Sequence, residues 1–136
     1  MSFEKKSSRF ALEMTYLYMQ DFRKLKVWAK ASDLSFDVYR LTQGFPFEER
    51  FGLTTQMRRA AVSIASNIAE GCGRIGRNEL PYFLGIALGS ACELGSLIEI
   101  STRLGYLKDP GELNHKLDEV RKMLIGLLMT IKTQNS

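Results

Sequence analysis

The sequence predicts an all-α protein, an antiparallel up-down-up-down four-helix bundle with an additional N-terminal segment. Three observations lead there. No stretch alternates apolar and polar residues with the period of two that a half-buried strand requires. Four segments instead place apolar side chains three and four residues apart, the spacing that lines one face of an α-helix. The connections between them are short and punctuated by Gly, Pro, Asn and Asp, so successive helices fold back on one another.

The first helix spans roughly Phe22 to Thr42, with Val27, Ala31, Leu34, Val38 and Leu41 as its apolar stripe. Gln43-Gly44-Phe45-Pro46 ends it, because Gly accepts a left-handed cap and the residue before Pro avoids the helical region. The second begins near Thr54 or Thr55, hydroxyl residues suited to N-capping, and runs to about Glu70, where Gly71 stops it. Leu53, Met57, Ala61, Ile64 and Ile68 form its stripe, while Arg59, Ser63, Ser66 and Glu70 share a polar face turned to solvent or to a neighbouring subunit.

Asn78 is the natural N-cap of the third helix, with Glu79 and Pro81 in the first turn and Gly105 as the stop. This helix is apolar nearly all round and carries Gly85, Gly89, Ser90, Ala91 and Gly95, which lets another backbone come close. Burial on more than one side is expected, in the bundle centre or at an oligomer contact. Asp109-Pro110-Gly111-Glu112 opens the fourth helix, whose stripe is Leu113, Leu117, Val120, Leu124, Leu127 and Ile131. Met123, Leu128 and Met129 widen that stripe to a second buried face, and the tail from Thr133 should fray. Residues 1–18 lie outside this pattern and 19–136 form the bundle domain. Met19 stands like a start of its own, so the leading segment reads as a short helix around Phe10 to Tyr18 or as an upstream start.

A chain of 136 residues with 45% apolar and 25% charged side chains is one globular domain, which excludes disordered, collagenous and disulfide-scaffold classes. Cys72 and Cys92 share no C-x-x-C motif and no neighbouring His, and read as reduced, partly buried thiols of a cytoplasmic protein. Leu80 to Ile98 contains Pro81, three glycines and Glu93, so neither a membrane span nor a membrane partner is expected, and no secretory signal is expected either. The net charge of +4 is concentrated between residues 19 and 78, where ten basic side chains face six acidic ones. That excess permits a polyanionic partner.

Gly71-Cys72-Gly73-Arg74-Ile75-Gly76 matches G-x-G-x-x-G by letter, but it follows a helix where a dinucleotide site needs a strand. It reads as an interhelical turn in which Arg74, Arg77 and the first amides of the third helix are placed to hold a phosphate. Glu112 and His115 make the single Glu-x-x-His pair, and a di-iron bundle needs two. No metal, no cofactor and no enzymatic activity are therefore expected, and Glu70 and Glu93 are assigned to buried or interfacial hydrogen bonds. The suggestive side chains are cations: Arg23, Lys24, Lys26 and Lys30 on the first helix, Arg58 and Arg59 on the second, then Arg74 and Arg77. Phosphate binding needs several on one surface, whereas Asp33, Asp37, Glu48 and Glu49 interrupt them as on an ordinary solvated helix face. Trp28 and Phe36 suit packing or subunit contact better than base stacking.

Phe22-Arg23-Lys24-Leu25, Val27-Trp28, Phe45-Pro46 and Phe51-Gly52-Leu53-Thr54 begin a resemblance to one bacterial family. Gln56-Met57-Arg58-Arg59-Ala60-Ala61, Ser63-Ile64, Asn67-Ile68-Ala69-Glu70-Gly71 and Gly73-Arg74 strengthen it, and Gly89-Ser90, Glu93-Leu94 and Leu104-Gly105-Tyr106 continue it. Over roughly residues 20 to 132 the chain resembles the four-helix bundle proteins encoded in intervening sequences of 23S ribosomal RNA genes, sometimes labelled a ribosomal protein family. The resemblance implies a homopentamer with a basic surface for nucleic acid and no known catalysis. It marks Arg58, Arg59, Asn67, Glu70, Gly71 and Arg74 as signature residues. Asn67 and Glu70 equally suit fixing the turn after the second helix. Ala65 stands where the family often has Pro, so a kink there is not expected. A distant similarity to the accessory protein of diversity-generating retroelements implies a protein partner such as a reverse transcriptase.

Two functions follow. The first is a non-enzymatic, oligomeric nucleic-acid-binding accessory protein, with RNA the expected ligand, that holds phosphates through Arg58, Arg59, Arg74 and Arg77 and then Lys24, Lys26 and Lys30. The second is a protein-interaction scaffold without direct nucleic-acid binding.

Overall fold

The computed structural model describes residues 21–76 and 78–135, so the segment 1–18 and Arg77 lie outside the described residues. A 3-10 turn, Phe22–Lys24, leads into helix α1, Lys26–Thr42. A second, Phe47–Glu49, precedes α2, Leu53–Cys72, which is followed by α3, Glu79–Arg103, and α4, Gly111–Asn135. No strand occurs among the described residues. Each helix packs on its neighbours in sequence, and α4 closes the square on α1.

Side-chain partners fix the directions. Arg58 reaches Thr42 and Tyr39 from α2 to α1, Met57 meets Ser101 while Ser63 meets Ser90, and Lys30 pairs with Glu119 while Asp37 pairs with Lys116. In each of the last two interfaces the residue number rises on one helix as it falls on the other, which makes the up-down-up-down bundle antiparallel.

The boundaries depart from the sequence expectation at instructive places. Asp21 accepts a hydrogen bond from the Arg23 amide at 3.1 Å and Leu25 is extended, so α1 proper starts at Lys26 rather than Phe22. At its far end Leu41 is 36% exposed, and Thr42 takes the inward position with its hydroxyl donated to the Val38 carbonyl at 2.7 Å. Positions 41 and 42 fall on either side of the stripe, since three residues stop about 60° short of a full turn from Val38 and four pass it by about 40°, and it is Thr42 that packs inward. Neither Thr54 nor Thr55 caps α2. Gly52 holds that position, Thr54 is buried, and the Thr55 hydroxyl donates to the Arg50 carbonyl.

Gly71 does not stop α2 either. It is buried within the helix, and the C-cap is Gly73, whose amide reaches the Ala69 and Glu70 carbonyls. A Cβ on Gly71 would lie 3.0 Å from Leu80 Cδ1 and 3.1 Å from Phe83 Cβ, so its role is close packing against α3. Asn78 occupies the N-cap of α3 without a side-chain cap bond, and the Glu79 carboxylate accepts from the Gly76 amide at 2.9 Å instead. Gly105 ends the third helix as expected, with φ of 81° in the left-handed region where a side chain is strained. The fourth helix continues to Asn135, past the point where fraying was expected.

The core is built from the expected stripes: Val27, Ala31, Leu34 and Val38, then Met57, Ala61, Ile64 and Ile68, then Leu113, Leu117, Val120 and Leu124. The wider burial expected for α3 and α4 is met only in part among the described residues: Met123 and Leu128 are partly buried against the core, but neither helix buries a full second face. Leu84, Ala87, Ala91, Leu94 and Ile98 bury one side of α3, whereas Tyr82, Ile86 and Ile100 are exposed, as are Ile125 and Met129 on α4. By length and composition α3 is apolar enough to cross a membrane, but its inward stripe is spent on packing against α2 and α4.

Two glycine substitutions should separate these packing environments. Gly71→Ala is expected to destabilise the fold by about 1–3 kcal/mol through overpacking. Gly85→Ala, where a Cβ would meet nothing within 4 Å, should stabilise the single bundle by about 0.5–1 kcal/mol. Urea unfolding of both variants checks the opposite signs.

Candidate nucleic-acid interface

A continuous depression runs along the outer side of α2. At its centre a cleft of about 550 Å³ lies between α1 and α2, walled by Phe22, Trp28, Phe36 and Tyr39 and floored by Val62, Ala65, Ser66 and Ala69. Towards the α1–α2 connection it passes, through the shared Tyr39 and Val62, into a second cleft of about 520 Å³ that adds Thr55, Arg58, Arg59 and Ser63. In the other direction Ser66 and Ala69 are shared with a hollow of about 420 Å³ containing Glu70, Gly73 and Arg74. Arg59 and Arg74 thus stand at opposite ends, about 20 Å apart along the helix axis.

Local packing positions each wall. Trp28 is half-buried and meets Phe22 edge to face, with ring centroids 4.9 Å apart, whereas Phe36 is 72% exposed. Trp28 is therefore a packing residue, as expected, and Phe36 has no packing role among the described residues. Helix α2 runs uninterrupted through Ala65.

The proposed cations divide into two groups. The side chains of Arg59, Lys24 and Lys26 are exposed and have no hydrogen-bond or ion-pair partner among the described residues. Lys30, Arg58 and Arg74 are engaged. Lys30 pairs with Glu119 at 2.7 Å, 89 positions away. Arg58 donates from Nε to the Thr42 hydroxyl at 2.9 Å and from Nη2 to the Tyr39 carbonyl at 3.4 Å, with its guanidinium 4.6 Å from the Tyr39 ring centre. Arg74 donates from both Nε and Nη2 to Glu70 Oε1, at 3.1 and 2.6 Å, and its Nη1 lies 3.9 Å from Glu79. The Glu70 hydrogen bond raises the pKa of Arg74 further above its ordinary value.

That geometry changes the phosphate pocket expected at the α2–α3 turn. Two of its donors are already engaged, Arg74 by the Glu70 carboxylate and the Glu79 amide by the Gly76 carbonyl at 3.1 Å. Arg77, the other cation of that pocket, lies outside the described residues.

Of the buried and interfacial hydrogen bonds expected for Glu70 and Glu93, the buried alternative is removed, because both are exposed within the chain. Glu70 makes a surface ion pair one turn ahead, and Glu93 has no partner among the described residues. Asn67 donates to the Ser63 carbonyl at 2.8 Å and to its hydroxyl at 3.0 Å, and Ser63 in turn meets Ser90 of α3 at 2.9 Å. Asn67 therefore supports the α2–α3 contact rather than the turn. His115 pairs with Glu119, not with Glu112, and among the described residues no group of three His, Cys, Asp or Glu side chains is gathered for a metal. Cys72 is half-buried, and burial pushes its thiol up to about 11, but Cys92 is exposed rather than partly buried.

Three further residues escaped the sequence reading. Phe47 and Phe51 of the α1–α2 connection are 72% and 83% exposed, and the Arg50 guanidinium lies 3.8 and 4.7 Å from their ring centres. The signal was present in Phe47-Glu48-Glu49-Arg50-Phe51, an Arg within reach of two aromatic residues outside any helical stripe.

Comparison with known proteins agrees with the resemblance read from the sequence. The family described as 23S rRNA-intervening sequence protein matches residues 23–126. A crystal structure of a protein of unknown function from the S23 ribosomal protein family of Bacteroides thetaiotaomicron is similar, with a TM-score of 0.70 and 25% identity. The similarity covers 76% of this chain and 95% of that one. No curated protein matches the chain.

The engaged cations make a pH prediction. The Lys30 hydrogen bond holds the Glu119 carboxyl below its ordinary value, with a smaller contribution from His115. A depressed carboxylate stabilises the folded state above its unfolded pKa, and that contribution disappears as the pH falls through the folded value. Glu119→Gln should therefore be less stable than the parent near neutrality, and the difference should shrink below about pH 4.5. Thermal unfolding across that range checks it.

Proposed function

With the chain a member of the 23S rRNA-intervening sequence protein family, we propose that it is a non-enzymatic, oligomeric accessory protein that binds nucleic acid, RNA foremost, through phosphate contacts. One arrangement carries this reading: the α2 groove has cations at its ends and aromatic rings along its wall. Polyanion binding needs positive charge that is not already neutralised, and Arg59, Lys24 and Lys26 supply it. Arg58 adds a guanidinium held in place by Thr42 and Tyr39. An ordered side chain loses less entropy when it meets a phosphate.

Self-association belongs to the same proposal. The exposed apolar side chains of α3 and α4, together with the open flanks of Gly85 and Gly89, support a contact between copies. Five is the number implied by the family resemblance, and the cytoplasm is the compartment proposed.

The exposed Phe36 favours a second reading, in which the cleft receives an apolar side chain of another protein. A partner of the reverse-transcriptase kind falls under this reading. Capture of a protein partner that survives nuclease treatment, without RNA binding by the purified chain, would select it.

Arg59→Ala is expected to weaken RNA binding several-fold and to make the salt dependence shallower by about 0.7–0.9 in log–log slope, the share of one phosphate contact. Arg74→Ala should change the slope less, because Glu70 already holds that guanidinium. Filter binding at several salt concentrations measures both. An unchanged slope for Arg59→Ala together with Lys24→Ala and Lys26→Ala would remove the proposed interface, and light scattering reads the assembly separately.

A further inference from the structure

The α1–α2 connection carries two phenyl rings that the fold does not use. Phe45 anchors this segment: it is buried and lies against Tyr106 with ring centres 5.5 Å apart. Phe47 and Phe51 follow it, and each remains largely in water. A phenyl side chain left exposed forgoes most of the stabilisation that burial would give, so the two rings do little for the bundle itself.

Arg50 organises them. Its guanidinium lies within cation–π distance of both rings, and its Nη1 donates to the Phe47 carbonyl at 3.1 Å. No carboxylate pairs with it among the described residues, although Glu48 and Glu49 are next in sequence. Most of its five N–H donors therefore remain available. The Thr55 hydroxyl holds the Arg50 carbonyl, and Thr55 also lines the cleft that contains Arg58 and Arg59. The Phe47–Arg50–Phe51 cluster is thus fastened to the Arg59 end of the groove. Arg58 and Arg59 of that cleft have no carboxylate partner among the described residues, so the surroundings favour an anion.

We propose that Phe47, Arg50 and Phe51 form a stacking clamp for unpaired nucleotides, so that the protein selects single-stranded over duplex segments of nucleic acid. This rests on the nucleic-acid reading of the groove and adds the class of ligand. An exposed ring stacks on the face of a base, and an adjacent guanidinium meets the phosphate of the same nucleotide. Base faces are accessible only outside a helix. In an A-form duplex they are stacked on one another, and the major groove is too deep and narrow for side chains to read. Phosphate contacts from Arg59 and the lysines serve both kinds of nucleic acid. Stacking serves one.

The test is fluorescence anisotropy of the full chain with an unpaired RNA of about 12 nucleotides, within the usual range for single-strand sites, and with the duplex of the same sequence. The unpaired strand is expected to bind at least tenfold more tightly. Phe47→Leu and Phe51→Leu keep apolar bulk but remove the flat π-face, and each should weaken single-strand binding about tenfold with the salt slope and duplex affinity unchanged. Phe47→Tyr and Phe51→Tyr should restore binding. Equal affinity of the parent chain for strand and duplex overturns the clamp, as do Leu variants that bind the strand like the parent. A change in oligomer mass in the Leu variants also overturns it, because the rings would then be a subunit contact. In those cases a slope that still responds to Arg59→Ala leaves the phosphate reading standing. Absence of binding to either RNA removes both.

Discussion

The close approach of α2 to α3 is the constraint on which the remaining structure depends. The inward side of α2 alternates large residues, Met57, Ile64 and Ile68, with small ones, Ala60, Ala61 and Gly71, and α3 answers with Ala87, Ser90 and Ala91. Small positions on both helices bring the axes together, and this is the most extensive helix contact in the chain. The polar atoms that the approach buries are satisfied across it, Ser63 with Ser90 and Ser101 with the Met57 sulfur. With that side of α2 committed, Arg59, Val62, Ser66 and Glu70 must lie on the other. Helix α1 covers this outer side incompletely, and the step between them is the groove.

The same constraint explains which cations stay free. Along α2 the only acidic residue is Glu70. Arg59 has Gln56, Thr55, Val62 and Ser63 at the positions three and four away, where a helical ion pair would form, and none of them is charged. Arg74 has Glu70 four residues before it and pairs there. Lys30 faces α4 instead of the groove, where Glu119 and the neighbouring Asp37–Lys116 pair tie the first helix to the last. Such pairs at the rim of a bundle contribute little to stability individually. Their effect here is on geometry, since they fix the rotation of α1 and with it the position of the Trp28 and Tyr39 walls.

The four helices and their order were legible because amphipathic stripes are local and repeat several times in each element. Glycines were harder to read. Gly105 adopts a left-handed φ and ends its helix, but Gly71 has the same letter for a different reason, the lack of a Cβ beside Leu80 and Phe83. Only the tertiary neighbour distinguishes them. The exchange of Leu41 for Thr42 has a similar origin, because a threonine whose hydroxyl bonds back to its own helix is buried at little cost. In the candidate site, the adjacent Arg58 and Arg59 could be singled out from sequence, and with them the α2 polar face except for Ser63, which turns to Ser90 of α3. The partner of Lys30 could not, since Glu119 is distant in sequence. Phe47 and Phe51 were passed over because phenylalanines in a connection ordinarily anchor it to the core, a role that Phe45 alone fills.

The chemical division of the surface follows from where charge and small residues fall along the chain. The half containing α1 and α2 carries the basic excess and the exposed phenyl rings, whereas residues 79–136 have six basic side chains against seven acidic ones. On that second half the outward residues of α3 include Tyr82, Ile86 and Ile100 beside Gly85 and Gly89, whose flanks are open. Helical glycines with no near neighbour lower the stability of a single bundle, and exposed aliphatic side chains return nothing to it. Both become favourable when a second apolar surface comes close, because the missing Cβ allows approach and the aliphatic groups leave water. Copies that meet through α3 and α4 would leave the α1–α2 groove of every subunit open. Each assembly would then present several basic grooves at fixed spacing, and linked weak phosphate contacts gain from a high effective concentration. A groove lined by only two cations without a carboxylate partner, Arg58 and Arg59, is a modest site alone, so the proposed binding and the proposed assembly reinforce one another on physical grounds.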